Sequence, residues 1–492
     1  HPEGQNDDAY DISEASGFSE RLWTLVKCSF PVVSAYILSV SGNCIILYFA
    51  GYVSRKNSDS SLFAGVSLAM TFANVTLMSI LDGLSSAVET LSAQHNGARN
   101  YRNVGLILNR SVIVLTLLST FILLCWYISG SFFRHIGVEN NIVEVSTRFL
   151  ALRALSVPAD IINLSYEKYL LSMGLMQPTL YACLTYNLIL CILEYLFVHT
   201  WEWGLNGIIY AFILSSYIES IVLVLASFQH PFVQRTIHFP TTESFSGLGE
   251  FLAFGFPGCV MLCAEWWAYE ILIMFASVLG GDAVTVQTIV LQVLIISFMF
   301  PLGIGIAASS LVGNALGAGK VQLASELARL SLGFVFTLSM VIAPVILFVG
   351  PYFMELFTAD KKVKELCNQL LFLLAYSASM DCMQGVSSGI LRGAGKQNIG
   401  AFTNLVAFYI IGVPGAWLLC FHFNHGVAGL MYGIVMGSTM QALVLLYFIL
   451  CKASYVFTEI EDIRAGRSRK PSSPLINPHG AAIMNHILLS GV

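Results

Sequence analysis

An acidic residue, Glu265, lies in the middle of a long apolar stretch, within the sequence MLCAEWWAYE that begins at Met261. On an α-helix Glu265 and Tyr269 share a face because they are four residues apart, whereas Glu270 lies about 140° around the helix from Glu265. An ionisable side chain inside a membrane segment is costly and is therefore a functional candidate. Burial favours the neutral form of a carboxyl group, so Glu265 could hold a proton in one state and attract a cation in another. A structural hydrogen bond is the alternative explanation for Glu265, and for Glu270 we expect a gate or a polar contact.

Aromatic residues surround this acid in the sequence. Trp266, Trp267 and Tyr269 offer ring faces that attract organic cations without requiring one shape. Packing against lipid or against other helices would explain the same residues, and the sequence leaves both explanations open.

The composition indicates what kind of protein could contain such a group. Of the 492 residues, 56% are hydrophobic and 11% are charged, against roughly 25% charged in ordinary globular proteins. The formal net charge of −5 offers no basic surface to a nucleic acid. These values exclude a disordered chain, a nucleic-acid-binding protein and a typical cytosolic enzyme. They predict a protein that crosses the lipid bilayer many times.

Apolar segments long enough to cross a bilayer recur along the whole chain. We predict an all-α integral membrane protein with twelve transmembrane helices, at residues 29–53, 62–92, 103–130, 141–172, 178–199, 204–228, 248–279, 284–315, 323–350, 363–394, 398–421 and 426–452.

The positive charges in the loops predict the orientation. With the N-terminus inside, sixteen Lys and Arg residues fall on the cytoplasmic side and six on the outside, namely Arg55, Lys56, Arg134, Lys361, Lys362 and Lys364. Cytoplasmic loops carry the excess of Lys and Arg, so we expect both termini in the cytoplasm. The predicted domains are a polar N-terminal segment (1–20), a first six-helix lobe (21–230), a cytoplasmic loop (231–247), a second six-helix lobe (248–452) and a cytoplasmic tail (453–492).

The chain also aligns with itself at a shift of 220 to 226 residues, which predicts a duplication. A repeat of six helices returns the chain to its starting side, so the lobes are parallel and related by an axis along the membrane normal. Secondary transporters have this architecture, with the substrate site between the repeats; a duplication kept only for packing is the alternative. The matching pairs include Gly83 and Gly303, Gly97 and Gly317, Asp160 and Asp381, Gly174 and Gly395, Gly204 and Gly426, and Pro31 and Pro257.

The repeat distinguishes among the acidic residues. Asp381 has a counterpart in Asp160, whereas Glu265 corresponds to Ser39. Symmetric packing therefore does not explain a carboxyl group at Glu265, which we take as the first candidate for coupling.

The second predicted helix carries a polar stripe. Asp82 and Glu89 are seven residues apart and share a face, with Asn74 two turns away. We expect these residues, together with Asp160, either to line a cavity in the first lobe or to seal an inner gate. Near a cytoplasmic helix end, we expect the Glu167 and Lys168 side chains to extend towards the aqueous interface. For two more acids within predicted spans, Glu194 and Glu219, we expect hydrogen bonds in the packing.

Motifs typical of enzymes do not fit their surroundings. Gly385-Val-Ser-Ser-Gly matches the GxSxG pattern, which requires a turn from strand to helix, but it lies in an apolar helical segment. Asn314 stands where a phosphate-binding loop needs its first glycine. The eleven cysteines show no CxxC spacing, and no HExxH motif occurs. We therefore expect no enzyme activity, no metal site and no organic cofactor.

Four segments together resemble the eukaryotic branch of the multidrug and toxic compound extrusion (MATE) family. The resemblance extends over about residues 20–452, and its motifs are GLSSAVETLSAQ at 83–94, CAEWWAYE at 263–270, PLGIGIAASSLVGNALGAG at 301–319 and GILRGAGKQ at 389–397.

The resemblance implies twelve helices in two lobes and the export of organic cations in exchange for protons. The essential glutamate of the family's seventh helix falls on Glu265, the partner acid of its tenth helix on Asp381, and the asparagine of its second helix on Asn74. One position departs from animal members, which often have a glutamate in the eighth helix where this chain has Gln292.

We therefore hypothesise a proton/organic-cation antiporter that works by alternating access. The predicted second-lobe cavity is lined by Glu265, Trp266, Tyr269, Gln292 and Asp381, with Glu270 near its outer end. We expect H⁺ as the coupling ion, organic cations and xenobiotics as substrates, and a monomer in the plasma membrane or in an organelle membrane. Coupling to Na⁺, a non-transporting receptor or scaffold, and a lipid flippase are the alternatives.

Overall fold

The computed structural model describes residues 17–58, 60–355 and 360–458, and these residues form helices and loops without a β-strand. Twelve long helical segments follow one another. They are α1 (Phe18–Lys56), α2 (Ser61–Gly97), α3 (Tyr101–Trp126), α4 (140–172), α5 (Gln177–Thr200), α6 (Leu205–Phe228), α7 (Leu248–Leu279), α8 (Gly281–Gly317), α9 (Val321–Glu355), α10 (Lys361–Gly393), α11 (Gln397–His422) and α12 (Gly426–Cys451).

Each predicted span corresponds to one of these segments, so the predicted fold class is confirmed. Ten of the twelve are long and apolar enough to cross a membrane by length and composition; the other two, α4 and α10, contain more polar and charged side chains. Several helices extend beyond the predicted bounds, as at Phe18, because a helix satisfies its own backbone hydrogen bonds in polar surroundings as well. Most of the predicted N-terminal segment (1–20) and of the predicted tail (453–492) lies outside the described residues.

Local irregularities interrupt some of these helices. A π-helical turn at Asn74–Met78 lies within α2, and a short 3-10 turn at Ala154–Ser156 divides α4. Pro257 and Pro301 lie inside α7 and α8. Neighbouring helices can satisfy the backbone groups that such breaks release.

The two halves of the chain meet tightly at one end of the bundle, which we call the sealed end. A Cβ atom added at Gly97 would lie 2.0 Å from the backbone carbonyl oxygen of Asn314, and one added at Gly317 would lie 1.9 Å from that of Gln94. At these two positions only glycine lets the backbones of α2 and α8 come this close.

Hydrogen bonds at the sealed end repeat the internal duplication. Gln94 donates from Nε2 to the backbone carbonyl of Gly393 at 2.9 Å, and Asn314 donates from Nδ2 to that of Ser172 at 2.8 Å. Gln94 and Asn314 are 220 residues apart, and Ser172 and Gly393 are 221 apart. The predicted parallel repeat is therefore present in the contacts between the two halves.

The clusters of buried apolar side chains also show where the two halves join. Two clusters of buried side chains combine residues from both halves; one contains Leu25 and Ala307, the other Val88 and Phe254. The buried members of the other two clusters come from one half each. The halves are thus joined at the sealed end and further along α2 and α8, while two of the four clusters belong to one half each.

Candidate functional site

Glu265 lies on α7 and is bonded to a side chain of α10. Gln384 donates a hydrogen bond from Nε2 to Oε1 of Glu265 at 2.7 Å. Gln384 is almost fully buried, whereas Glu265 remains partly exposed. A carboxyl group that is held by a neutral amide and is still accessible can exchange a proton or bind a cation.

Three amide side chains connect Glu265 with neighbouring helices and lead back to α7. Gln441 on α12 donates from Nε2 to Oε1 of Gln384 at 3.0 Å and to Oδ1 of Asn404 on α11 at 2.8 Å. Asn404 donates from Nδ2 to the backbone carbonyl of Met261, one turn before Glu265, at 2.7 Å. The network thus positions the carboxyl group of Glu265 through neutral groups.

A second carboxyl group of this site belongs to Asp381. It lies three residues before Gln384 on α10 and therefore on the same face of the helix. Asp381 is 5% exposed, and its Oδ1 atom is buried without a hydrogen-bond partner. Tyr269 lies within electrostatic range of both Asp381 and Glu265. The structure therefore brings Glu265, Tyr269 and Asp381 together.

The counterpart of Asp381 in the first half, Asp160, differs in one respect. Both aspartates accept a hydrogen bond at Oδ2 from a serine one turn earlier, at 3.2 Å in the first half and 3.4 Å in the second. Asp160 also has a cation, since Nη2 of Arg153 lies 3.7 Å from its Oδ2. The repeat places Leu374 at the position of Arg153. Among the ion pairs of the described residues, none involves either carboxyl group of the second-half site.

The other predicted substrate-binding residues lie on α7, on α8 and on α2 of the first half. Trp266 is 39% exposed, and Glu270 and Gln292 are partly exposed. Asn74 is exposed and begins the π-helical turn of α2. None of these four takes part in the hydrogen bonds that connect Glu265 with its neighbours.

The structure corrects the expectation for Lys168. Its side chain does not extend to the interface, because the residue is 4% exposed and Nζ lies 3.1 Å from Oδ1 of Asp82. Nζ also donates to the hydroxyl group of Tyr36 at 3.4 Å. Asp82 on α2 gives the Lys168 ammonium group a partner inside the protein. Lys168 is therefore buried with this partner and does not reach the aqueous interface.

Glu89 has a different partner from Asp82, although both lie on one face of α2. Nε of Arg392, on α10 of the other half, lies 3.7 Å from Oε1 of Glu89. Glu89 has no exposed surface and Arg392 is 8% exposed. The stripe predicted from the sequence therefore divides between an ion pair within the first half and one across the sealed end.

Two further acids, Glu219 and Glu194, lie within the predicted spans, and the contact of one of them matches the internal repeat. Asn163 donates from Nδ2 to Oε2 of Glu219 at 3.1 Å, and these residues occupy the positions of Gln384 and Gln441 in the duplication. The expected hydrogen bond is thus found for Glu219. It is not found for Glu194, which is fully buried and whose carboxylate oxygens both lack a partner.

The sequence analysis did not predict the three amide side chains that connect Glu265 with its neighbours. The repeat contained a signal for two of them, since it aligns Gln384 and Gln441 with the polar residues Asn163 and Glu219. Asn404 gave no such signal. Among the described residues, no group of three or more His, Cys, Asp or Glu side chains could hold a metal ion.

Comparisons with known proteins agree with this architecture. Multidrug and toxin extrusion protein 1 of Homo sapiens is 30% identical over 477 residues, which cover 94% of this chain and 82% of that protein. Protein DETOXIFICATION 10 of Arabidopsis thaliana is 30% identical over 440 residues, which cover 88% of each chain. The crystal structure of the eukaryotic MATE transporter AtDTX14 superimposes with a TM-score of 0.85 at 25% identity, over 92% of this chain and 100% of that one.

The family model named MatE matches the chain twice, over residues 31–196 and 257–418. One match falls in each half of the duplication. The chain therefore belongs to the MatE family, whose members are membrane transporters and not enzymes.

Proposed function

We propose that this protein exports organic cations and other xenobiotics in exchange for protons, with Glu265 as the group that binds H⁺ and the cation in turn. The observation that carries the proposal is the difference between the halves. Asp160 in the first half has Arg153 as a fixed cation, whereas Asp381 has Leu374 at that position and lies near a second carboxyl group, Glu265.

Carboxyl groups that form no ion pair attract a positive charge that enters a medium of low polarity. A proton and an organic cation then compete for the same site, since a protonated Glu265 loses its attraction for the cation. Tyr269, within electrostatic range of both acids, and Trp266 could add cation–π contacts, each about 0.5–2 kcal/mol.

The transport cycle follows from this competition and from the sealed end. By the distribution of Lys and Arg in the loops we assign the sealed end, and both chain termini, to the cytoplasm. The conformation described here would then be open to the outside, where a proton displaces the cation from Glu265. After the halves rearrange, loss of the proton to the cytoplasm lets another cation bind.

Transport into proteoliposomes tests the proposal. An acidic vesicle lumen should drive uptake of an organic cation such as ethidium by molecules whose cytoplasmic side faces the bath. Glu265→Gln should abolish this uptake, because the amide keeps the hydrogen bond with Gln384 but cannot release a proton. Glu219→Gln is the matched control, since it neutralises a membrane carboxyl group in the other half and introduces the residue found at its repeat partner, Gln441.

The outcomes separate the alternatives. Gradient-driven uptake that survives in Glu265→Gln would contradict the role of this residue. Uptake driven by a Na⁺ gradient without a pH gradient would favour Na⁺ coupling, and saturable binding without uptake would favour a receptor or scaffold. Transfer of a lipid probe in place of ethidium would favour a flippase. We further propose a monomer in the plasma membrane.

A further inference from the structure

Two thiols lie side by side where α7 contacts α2. Sγ of Cys259 and Sγ of Cys263 are 3.8 Å apart, one helical turn from each other. Sγ of Cys263 lies 3.7 Å from Oγ of Ser79 on α2, and Nε1 of Trp267 donates to the same hydroxyl group at 3.4 Å. The two cysteines therefore lie at a contact between the two halves of the protein.

The helices are very close at this level. A Cβ atom added at Gly83 on α2 would lie 2.5 Å from Cα of Cys259, so the backbones touch there. Cys259 is nevertheless partly exposed, while Cys263 is 5% exposed. One thiol can thus be reached first and the second lies next to it.

Their spacing disfavours a disulfide but suits a larger bridging atom. Residues four apart on a helix have Cβ atoms about 5–6 Å apart, whereas a disulfide requires about 3.5–4.5 Å. An atom that bonds to both sulfur atoms replaces the single S–S bond by two bonds. The longer bridge spans the wider gap between the Cβ atoms without unwinding the helix. No other two of the eleven cysteines are fewer than eight residues apart in the sequence.

We propose that Cys259 and Cys263 form a dithiol site for trivalent arsenicals, and that its occupation blocks the movement of α7 against α2. With phenylarsine oxide, two S–H bonds and the As=O bond are replaced by two As–S bonds, and the oxygen leaves as water with both protons. The arsenic remains trivalent, so no oxidant or reductant is needed. The phenylarsenic group would then occupy the space beside Ser79 at the contact between the halves.

Binding can be measured on the full-length protein in detergent, independently of transport. Mass spectrometry should show one tightly held phenylarsenic group, mapped to the peptide that contains both cysteines, which resists excess 2-mercaptoethanol and is removed by 2,3-dimercaptopropanol. Cys259→Ala and Cys263→Ala should each weaken binding roughly 100-fold, because the second As–S bond forms at high effective concentration. Cys44→Ala, sixteen residues from the nearest other cysteine, is the control and should bind as the unsubstituted protein does.

A second experiment measures the effect of phenylarsine oxide on transport. Phenylarsine oxide should slow uptake by the unsubstituted protein and by Cys44→Ala, and should leave uptake by Cys259→Ser unaffected. Tight binding that persists in Cys259→Ala and Cys263→Ala, label found on another peptide, or removal by 2-mercaptoethanol would overturn the proposal. If a variant does not fold, peptide mapping on the unsubstituted protein still shows where the label binds. The binding result does not depend on whether Glu265 couples protons to transport.

Discussion

Glu89 and Arg392 form an ion pair across the two halves of the molecule, with 3.7 Å between Oε1 and Nε. The carboxylate has no exposed surface and the arginine is 8% exposed. Neither atom has a hydrogen-bond partner, so the attraction between the two groups helps to compensate for removing both charges from water. The pair lies at the sealed end, and any state that opens this end must separate it.

Removing one member of this pair should weaken the sealed end. Glu89→Gln removes the ion-pair partner of the buried Arg392, and breaking a buried pair in this way costs about 3–5 kcal/mol. We expect a lower melting temperature and faster hydrogen exchange of the backbone at residues 90–94.

The double variant Glu89→Gln/Arg392→Gln is the control, because it leaves no unpaired charge. It should recover part of the lost stability. If both variants melt at the same temperature as the unsubstituted protein, the pair does not hold the sealed end.

A methyl group at Gly317 should prevent the close approach of α8 and α2. A Cβ atom there would lie 1.9 Å from the backbone carbonyl oxygen of Gln94, and a backbone atom cannot move aside as a side chain can. Gly317→Ala should therefore lose most transport and show greater exchange at residues 94–97.

Gly333→Ala provides the matched control. Gly333 lies exposed within α9, and a Cβ atom there would meet nothing within 4 Å. Alanine favours a helix over glycine by up to about 1 kcal/mol, so this variant should transport normally and be equally or slightly more stable. Normal transport by Gly317→Ala would show that the sealed conformation is not required.

An arginine at position 374 should give the second half the fixed cation of the first. Leu374 is fully buried and occupies the repeat position of Arg153. In Leu374→Arg, the guanidinium group should pair with Asp381 and occupy the site of the transported cation. We expect weaker binding of ethidium in an equilibrium assay and slower uptake.

Leu374→Met controls for the change of side-chain shape and should bind ethidium normally. Size-exclusion chromatography checks that both variants are folded. A folded Leu374→Arg variant with unchanged ethidium affinity would contradict the importance of an Asp381 carboxyl group that has no ion-pair partner.

Substitutions at Lys168 and Asp82 should have coupled effects on thermal stability. Lys168→Met leaves Asp82 next to Tyr36 without its cation, and we expect a lower melting temperature. Asp82→Asn/Lys168→Met removes both charges and should be more stable than the single variant, which a double-mutant cycle by thermal unfolding measures. Additive effects of the two substitutions would show that the 3.1 Å contact contributes no coupling energy.

The sequence alone determined the number of helices, their approximate bounds and the parallel repeat. These properties depend on local chemistry: a bilayer requires about 20 apolar residues per span, and a six-helix unit restores the side of the membrane. The sequence also marked Glu265 as a candidate, because its repeat counterpart, Ser39, carries no charge.

Which side chains meet was decided by the tertiary structure. Nothing in the local pattern pairs Lys168 with Asp82, separates Glu89 from Asp82, or connects Glu265 with Gln384, since each contact depends on how two distant helices are rotated and how closely they pack. The close approach at Gly97 and Gly317 sets that packing at the sealed end. A helix period places residues on a face, but only the assembled bundle determines what that face contacts.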